Sequence, residues 1–233
     1  MTDPNNNITL RGKIYILRNM ISVLIGGTIF FLGAGRLDII RGWIYFVAAL
    51  AMTLIGNLII GKYNPQLLHQ RSKIHTGSKN WDKWWLAIFA ILFVYGMPFV
   101  AGWEIGRLHY QMNFASLLFG MILYILSVIL SIWAMSVNRF FEPAVRIQRD
   151  RNHQVVSGGP YGIIRHPGYS ALVLWAFAFP LIVGSTYALY QALILVVFVS
   201  FRTYLEDKTL QSELEGYMTY TQKVQYRLIP GIW

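Results

Sequence analysis

In the run GPYGIIRHPGY, residues 159–169, an arginine and a histidine stand side by side ahead of a proline at the mouth of a long apolar stretch. Pro167 disfavours the α conformation at His166 and is itself suited to the first position of a helix, so the sequence predicts a helix beginning at Pro167. Its unpaired amides and positive dipole end would then sit beside Arg165 and His166, an arrangement suited to an anion such as a carboxylate or phosphate. Tyr169, in the first turn, adds a hydroxyl and an aromatic face. Some forty residues on, FRTYLEDK places Glu206 and Asp207 together. A basic, aromatic cluster facing two carboxylates could hold a zwitterion carrying both a carboxylate and an amine. The local residues also allow a plainer account. In it Arg165 snorkels to headgroups, His166 caps a helix, Tyr169 joins an aromatic belt, and Arg165 or Arg202 forms a structural ion pair with Glu206 or Asp207.

The elements that must position these groups are membrane helices. The chain has 233 residues, of which 55% are hydrophobic and 13% charged, and several uncharged runs reach the roughly 20 residues that cross a bilayer. Four spans are expected at 19–35, 42–61, 84–102 and 114–135. The run 169–201 holds no charge over 33 residues. At ~1.5 Å per helical residue it is too long for one crossing, so it should fold as a helical hairpin turning at Gly184 and Ser185, with Pro180 kinking the first arm. That gives an all-α, polytopic membrane protein of about six transmembrane helices. Lysine and arginine placement supports the count: 17 of the 20 fall in alternate segments that include both termini, and three in the others. Both termini, and the site, are therefore expected on the cytoplasmic face. The polar N-terminal segment followed by an apolar run reads as a retained anchor rather than a cleaved signal. Two regions follow, a four-span region at 1–136 and a C-terminal one at 137–233. In the latter a polar loop, the hairpin and a tail come together, with Leu210, Leu214 and Tyr217 on a short amphipathic helix stopped near Gly216.

Several chemistries are disfavoured. With no cysteine there is no disulfide, thiolate nucleophile or sulfur-ligated metal. His69, His75, His109, His153 and His166 lack metal-binding spacing, so no metal is expected. Gly158, Gly159 and Gly162 allow close backbone approach but match neither a dinucleotide fingerprint nor a P-loop. The net charge of +10 reports topology and contact with anionic membrane lipids rather than nucleic acid. The basic loop at 62–83 reads as a headgroup-facing surface.

From residue 138 onward the chain resembles the isoprenylcysteine carboxyl methyltransferase and phospholipid methyltransferase families. The resemblance rests on HQVVSGGPYGIIRHPGY, the apolar hairpin, the acidic pair after it, and the closing GYMTYTQKVQYRLIPG. It implies S-adenosylmethionine as methyl donor, with S-adenosylhomocysteine as product, in a cytoplasmic cavity closed by the C-terminal tail. Carried onto this sequence, the cofactor-binding candidates are His153, Val156, Tyr161, His166, Pro167, Tyr169, Glu206 and Asp207, and the catalytic candidates are Arg165, Glu206 and His166. On this reading Arg165, His166 and the helix start hold the methionine carboxylate, Glu206 meets its amine, and Tyr161 or Tyr169 packs the adenosine. Arg165 could instead orient the acceptor. The acidic pair, usually two glutamates, is here Glu206 then Asp207, which makes Asp207 the weaker assignment. The acceptor is expected to be lipophilic and to enter from the bilayer. Membrane sterol reductases, which bind NADPH, share a similar R-H-P-x-Y region and a similar tail, and offer the competing expectation. A scaffold or transporter is a third, disfavoured by the few ionisable residues within the spans.

Overall fold

The computed structural model describes residues 8–72 and 79–233. His75 and part of the basic 62–83 loop lie outside the described residues. Among those described the ordered elements are helical, and no strand occurs. Helix α1 spans Leu10–Ala34 and α2 Ile40–Tyr63; α3 is the short Pro65–Arg71. Helix α4, Asn80–Phe89, runs through a π-helical segment, Ala90–Tyr95, into α5, Gly96–Leu108. Helix α6 spans Phe114–Val137, α7 Pro167–Val183, α8 Thr186–Glu213 and α9 Tyr217–Lys223. Among the described residues five helices are long and apolar enough to cross a bilayer, α4 and α5 counting as one, and α7 is a shorter apolar helix. The chain is a multi-pass membrane protein.

The caps follow local chemistry. Helix α7 begins at Pro167, as expected, and ends at Gly184 with φ 87°, a left-handed turn that glycine adopts without steric cost. Ser185 then caps α8 by accepting from the Ala188 amide. Buried Glu104 of α5 reinforces that start, taking the Ser185 hydroxyl and the amides of Thr186 and Tyr187. The hairpin turn is where the uncharged run predicts it. The π segment precedes Pro98, whose ring cannot share a regular turn with the carbonyl four residues back, and the Gly96 amide reaches Ile91 five residues back instead.

Two helix pairs approach closely. Helices α6 and α7 are joined by the Ser127 hydroxyl donating to the Ala171 carbonyl, 2.7 Å. Helices α1 and α5 meet backbone to backbone, because a Cβ on Gly102 would collide with the Phe30 carbonyl and one on Gly106 with the Ala34 carbonyl. Replacing Gly102 by valine should therefore force the pair apart at a cost of about 1–3 kcal/mol, the range for overpacking a close contact. A fall in the thermal midpoint of detergent-purified protein checks this, and an unchanged midpoint would refute the tight seam.

Two expectations are corrected. Leu210, Leu214 and Tyr217 do not share a short helix of their own: Leu210 belongs to α8, Leu214 caps it and Tyr217 starts α9. Helix α8 continues unbroken to Glu213 because nothing from 202 onward interrupts it, and the break comes at 214–216, where Gly216 has φ 79°. Leu214 and Tyr217 are buried nonetheless, in a cluster with Tyr220 and Val224 that packs on Ile147 and Val155. The loop at 62–83 is not simply a headgroup-facing surface either. It contains α3, whose Leu67 and Leu68 are buried, and its Arg71 donates to the Tyr15 hydroxyl and the Phe141 carbonyl.

Candidate active site

The segment before α7 is held from behind by the C-terminal tail. The amides of Arg165 and His166 donate to the carbonyls of Tyr226 and Arg227 at 2.9 and 3.0 Å, and the Ser170 hydroxyl donates to the Leu228 carbonyl at 2.6 Å. The amides of Tyr169 and Ser170 are already bonded to the His166 carbonyl. The helix start therefore offers a ligand fewer free amides than its sequence suggests, and the side chains of Arg165 and His166 matter more.

Glu206 and Asp207 are adjacent in sequence but point apart. Glu206 lines a cavity of about 650 Å³, accepts a short hydrogen bond from the Tyr169 hydroxyl, and places Oε1 3.9 Å from His166 Nδ1. Asp207 is fully buried and does not line the cavity. Its Oδ1 accepts from the Tyr217 hydroxyl at 3.0 Å and lies 3.2 Å from His166 Nε2. Its Oδ2 accepts from Arg227 Nε at 2.9 Å and Gln211 Nε2 at 2.7 Å, with Arg165 Nη1 at 3.4 Å. One carboxylate thus faces a cluster of three basic side chains, two of them flanking the cavity and one in the tail.

Arg165, His166 and Tyr169 line the cavity with Tyr161, His153 and Val156, whereas Pro167 is buried at the start of α7, outside the lining. Arg165 lines the cavity, and its Nε is buried without a hydrogen-bond partner. The Tyr161 hydroxyl accepts from Asn138 at 2.9 Å, and its backbone carbonyl accepts from the Tyr220 hydroxyl at 2.7 Å. Burial pushes the Tyr161 phenol above its ordinary range, so it stays neutral. The loop before α7 is braced within itself: Glu142 pairs with Arg146 at 2.9 Å, and Arg146 with Asp150 at 2.8 Å.

His153 packs against Phe140, ring centroids 4.4 Å apart, and its Nδ1 accepts from the Gln148 amide at 3.3 Å. Burial holds its pKa down at about 4. The unfolded imidazole takes up a proton near pH 6.5 while the folded ring refuses one until about 4, so the folded state loses stability as pH falls through that window and nothing further below it. Thermal midpoints at pH 7 and pH 5 should differ more for the wild type than for His153→Asn, which keeps an acceptor but cannot titrate.

Asp82 is the group that sequence reasoning missed. At the start of α4, it is fully buried; its Oδ1 accepts from Arg202 Nε and Nη2 at 2.9 and 2.8 Å, and its Oδ2 from the Val145 amide at 2.7 Å. Arg202 also donates to the Pro143 carbonyl at 2.6 Å, and its guanidinium lies over the Tyr169 ring, 5.3 Å from the centroid. Neither acid of the 206–207 pair is its partner. A signal was present in the sequence: Asp82 is the sole acid between Asp38 and Glu104, set in the most basic N-terminal loop. Arg227 and Tyr217, which complete the surroundings of Asp207, had no such signal.

The cavity continues from this charged end into the bundle between α1, α2, α6, α7 and α8, past Tyr45, Phe46 and Phe179. No group of three or more metal-ligating side chains occurs among the described residues.

Residues 119–212 match the model of the isoprenylcysteine carboxyl methyltransferase family. Among curated proteins, protein-S-isoprenylcysteine O-methyltransferase B of Arabidopsis thaliana is 37% identical over 59 residues, covering 25% of this chain and 30% of that protein. A probable protein-S-isoprenylcysteine O-methyltransferase of Oryza sativa subsp. indica is 33% identical over 58 residues, 24% of this chain and 30% of the relative. The chain thus spans under a third of the length of these relatives. The match takes in the polar loop, α7 and Glu206, and leaves out α1 to α5 and the tail beyond residue 212. The likeness to the isoprenylcysteine carboxyl methyltransferase family therefore falls on residues 119–212, which include Arg165, His166 and Glu206 at the charged end of the cavity.

Proposed function

We propose that this protein is an integral-membrane, S-adenosylmethionine-dependent methyltransferase acting on a lipophilic acceptor, with both termini and the charged end of its cavity on the cytoplasmic side and with α7 as a sixth crossing. The observation that carries the reading is the single cavity itself. One end presents Arg165, His166 and Glu206, and the rest runs between membrane-spanning helices, so a water-soluble donor and a bilayer-soluble acceptor could meet there.

The residues fit the donor. Arg165 brings a guanidinium charge suited to a carboxylate to the cavity lining, and Glu206, whose Oε2 is engaged by Tyr169, keeps Oε1 for an ammonium. Tyr161 and Val156 offer an aromatic and an aliphatic wall for a purine. When bound, S-adenosylmethionine supplies a methyl group already activated on a sulfonium, so the protein's tasks are to bind, align and exclude water. Arg165 and His166 hold negative charge, Glu206 holds positive charge, and the tail fixes the backbone from which Arg165 and His166 project. If the acceptor must lose a proton, Glu206 and His166 are the groups placed to take it. Asp207, out of contact with the cavity, is a positioning residue that fixes the His166 ring and the tail.

Isothermal titration of detergent-purified protein should show binding of S-adenosylhomocysteine and none of NADPH; the reverse result would overturn the reading in favour of a reductase. Glu206→Gln keeps an acceptor for Tyr169 but loses the charge. It should weaken S-adenosylhomocysteine binding about ten- to a hundredfold, the loss expected for one charge-assisted hydrogen bond.

A further inference from the structure

The wall of the cavity opposite the charged groups is not simply greasy. From α1, Asn19 and Ser22 face the cavity; from α2, Thr53 and Asn57; from α6, Ser131. Each lies about two to four turns inside its helix, within a membrane-crossing segment, and together they form a band of uncharged hydrogen-bonding groups on three helices. Asn57 is 5% exposed. Its Nδ2 is used within its own helix, donating to the Thr53 carbonyl at 2.8 Å, but its Oδ1 has no partner among the described residues, and the Asn19 amide has none either. Across from them the α7 and α8 wall is apolar: Leu172, Trp175, Phe179, Phe198 and Val199.

Neither amide is sealed off, so a group inside the cavity can reach it, whereas a hydrocarbon chain that covered it would leave it unpaired at a cost of about 1–3 kcal/mol. Polar side chains in spans usually bond across to neighbouring helices; these face a void instead. A purely hydrocarbon or isoprenyl chain would fit the α7 and α8 wall and leave Asn19 and Asn57 unsatisfied. We propose that this band is a hydrogen-bonding subsite, and that the molecule occupying the membrane arm of the cavity is a lipid bearing an uncharged hydroxyl or amide part-way along its chain. Calling that molecule the acceptor rests on the methyltransferase reading; the subsite itself does not. Four of the five residues lie outside the segment matched to the family.

The test compares octadecanoate with 9-, 10- and 12-hydroxyoctadecanoate, which share length and headgroup and differ by one hydroxyl. Affinities are read from the concentration dependence of the thermal midpoint of the purified protein, with and without S-adenosylhomocysteine. At least one hydroxylated probe should bind about three- to tenfold tighter than octadecanoate, the ratio one neutral hydrogen bond gives. Asn57→Leu and Asn19→Leu should each narrow or abolish that preference without weakening octadecanoate binding, because each removes an amide that a bare chain leaves unpaired. Asn19 has no partner to lose, so its variant folds even if the other does not. Equal binding of all four probes to the wild type means the band is merely hydrated and overturns the proposal. So does failure of all four to bind, or a preference that survives undiminished in both variants. Absence of S-adenosylhomocysteine binding would sink the methyltransferase reading alone, because the probe comparison made without it still stands.

Discussion

Asp207→Ala should unfold the C-terminal part of the site rather than merely weaken it. The carboxylate is fully buried and faces Arg165, His166 and Arg227, and it accepts the Tyr217 hydroxyl. Removing one partner of a buried ionic cluster leaves uncompensated charge, at a cost of about 3–5 kcal/mol. Arg227 belongs to the tail and Tyr217 to α9, so the loss should free both from α7 and α8. The expected result is a lowered thermal midpoint, rapid proteolytic cleavage after residue 213, and no measurable S-adenosylhomocysteine binding. Glu206→Gln provides the contrast, because it should lose affinity while keeping the midpoint. If Asp207→Ala kept its midpoint and lost only affinity, Asp207 would be a direct cofactor contact and the division of roles proposed for the acidic pair would be wrong.

The second large effect belongs to Asp82 and Arg202, which are 120 residues apart in sequence and 2.8 Å apart in space. Asp82→Ala strands a buried guanidinium and frees the Val145 amide, and should also cost about 3–5 kcal/mol. Replacing both partners with apolar residues, Asp82→Leu with Arg202→Met, should recover most of that, since a matched apolar pair is often no worse than a buried ion pair. The double variant should nonetheless bind S-adenosylhomocysteine poorly, because Arg202 lies over the Tyr169 ring and Tyr169 donates to Glu206. Thermal midpoints of the wild type, Asp82→Leu, Arg202→Met and the double variant measure the coupling. Additive losses would show the pair to be independent and would remove Asp82 from any account of the site.

The hairpin was legible from sequence because its signals have one physical reading. A charge-free run too long for a single crossing must turn, and Gly184 with Ser185 supplies a left-handed stop and a helix cap in consecutive positions. The acidic pair was legible as a pair but not in its division of labour. Neighbouring helical residues diverge by about 100°, and only the placement of α9 and the tail decides that Glu206 meets the cavity and Asp207 the cations. Leu210, Leu214 and Tyr217 have helical spacing and are all drawn to apolar surroundings, yet the last is buried by a chain reversal at Gly216 rather than by continuing the face. The partner of Arg202 was illegible for a different reason. A lone aspartate in a basic loop has many candidate partners, and a contact spanning 120 residues leaves no periodicity to read.

The glycine contacts between α1 and α5 have a mechanical consequence. Where Gly102 and Gly106 rest on the carbonyls of Phe30 and Ala34, the two helices cannot slide or separate by a fraction of a turn without backbone collision or a void. That seam is stiff. Helices α1 and α2 instead meet through aromatic side chains, the Phe46 ring against Gly26 and Gly27 and the Phe30 and Phe31 rings against Gly42. On its outer side Phe46 borders an apolar groove of about 570 Å³ between the same two helices, and on its inner side it borders the main cavity. One aromatic ring thus stands between the main cavity and that outer groove.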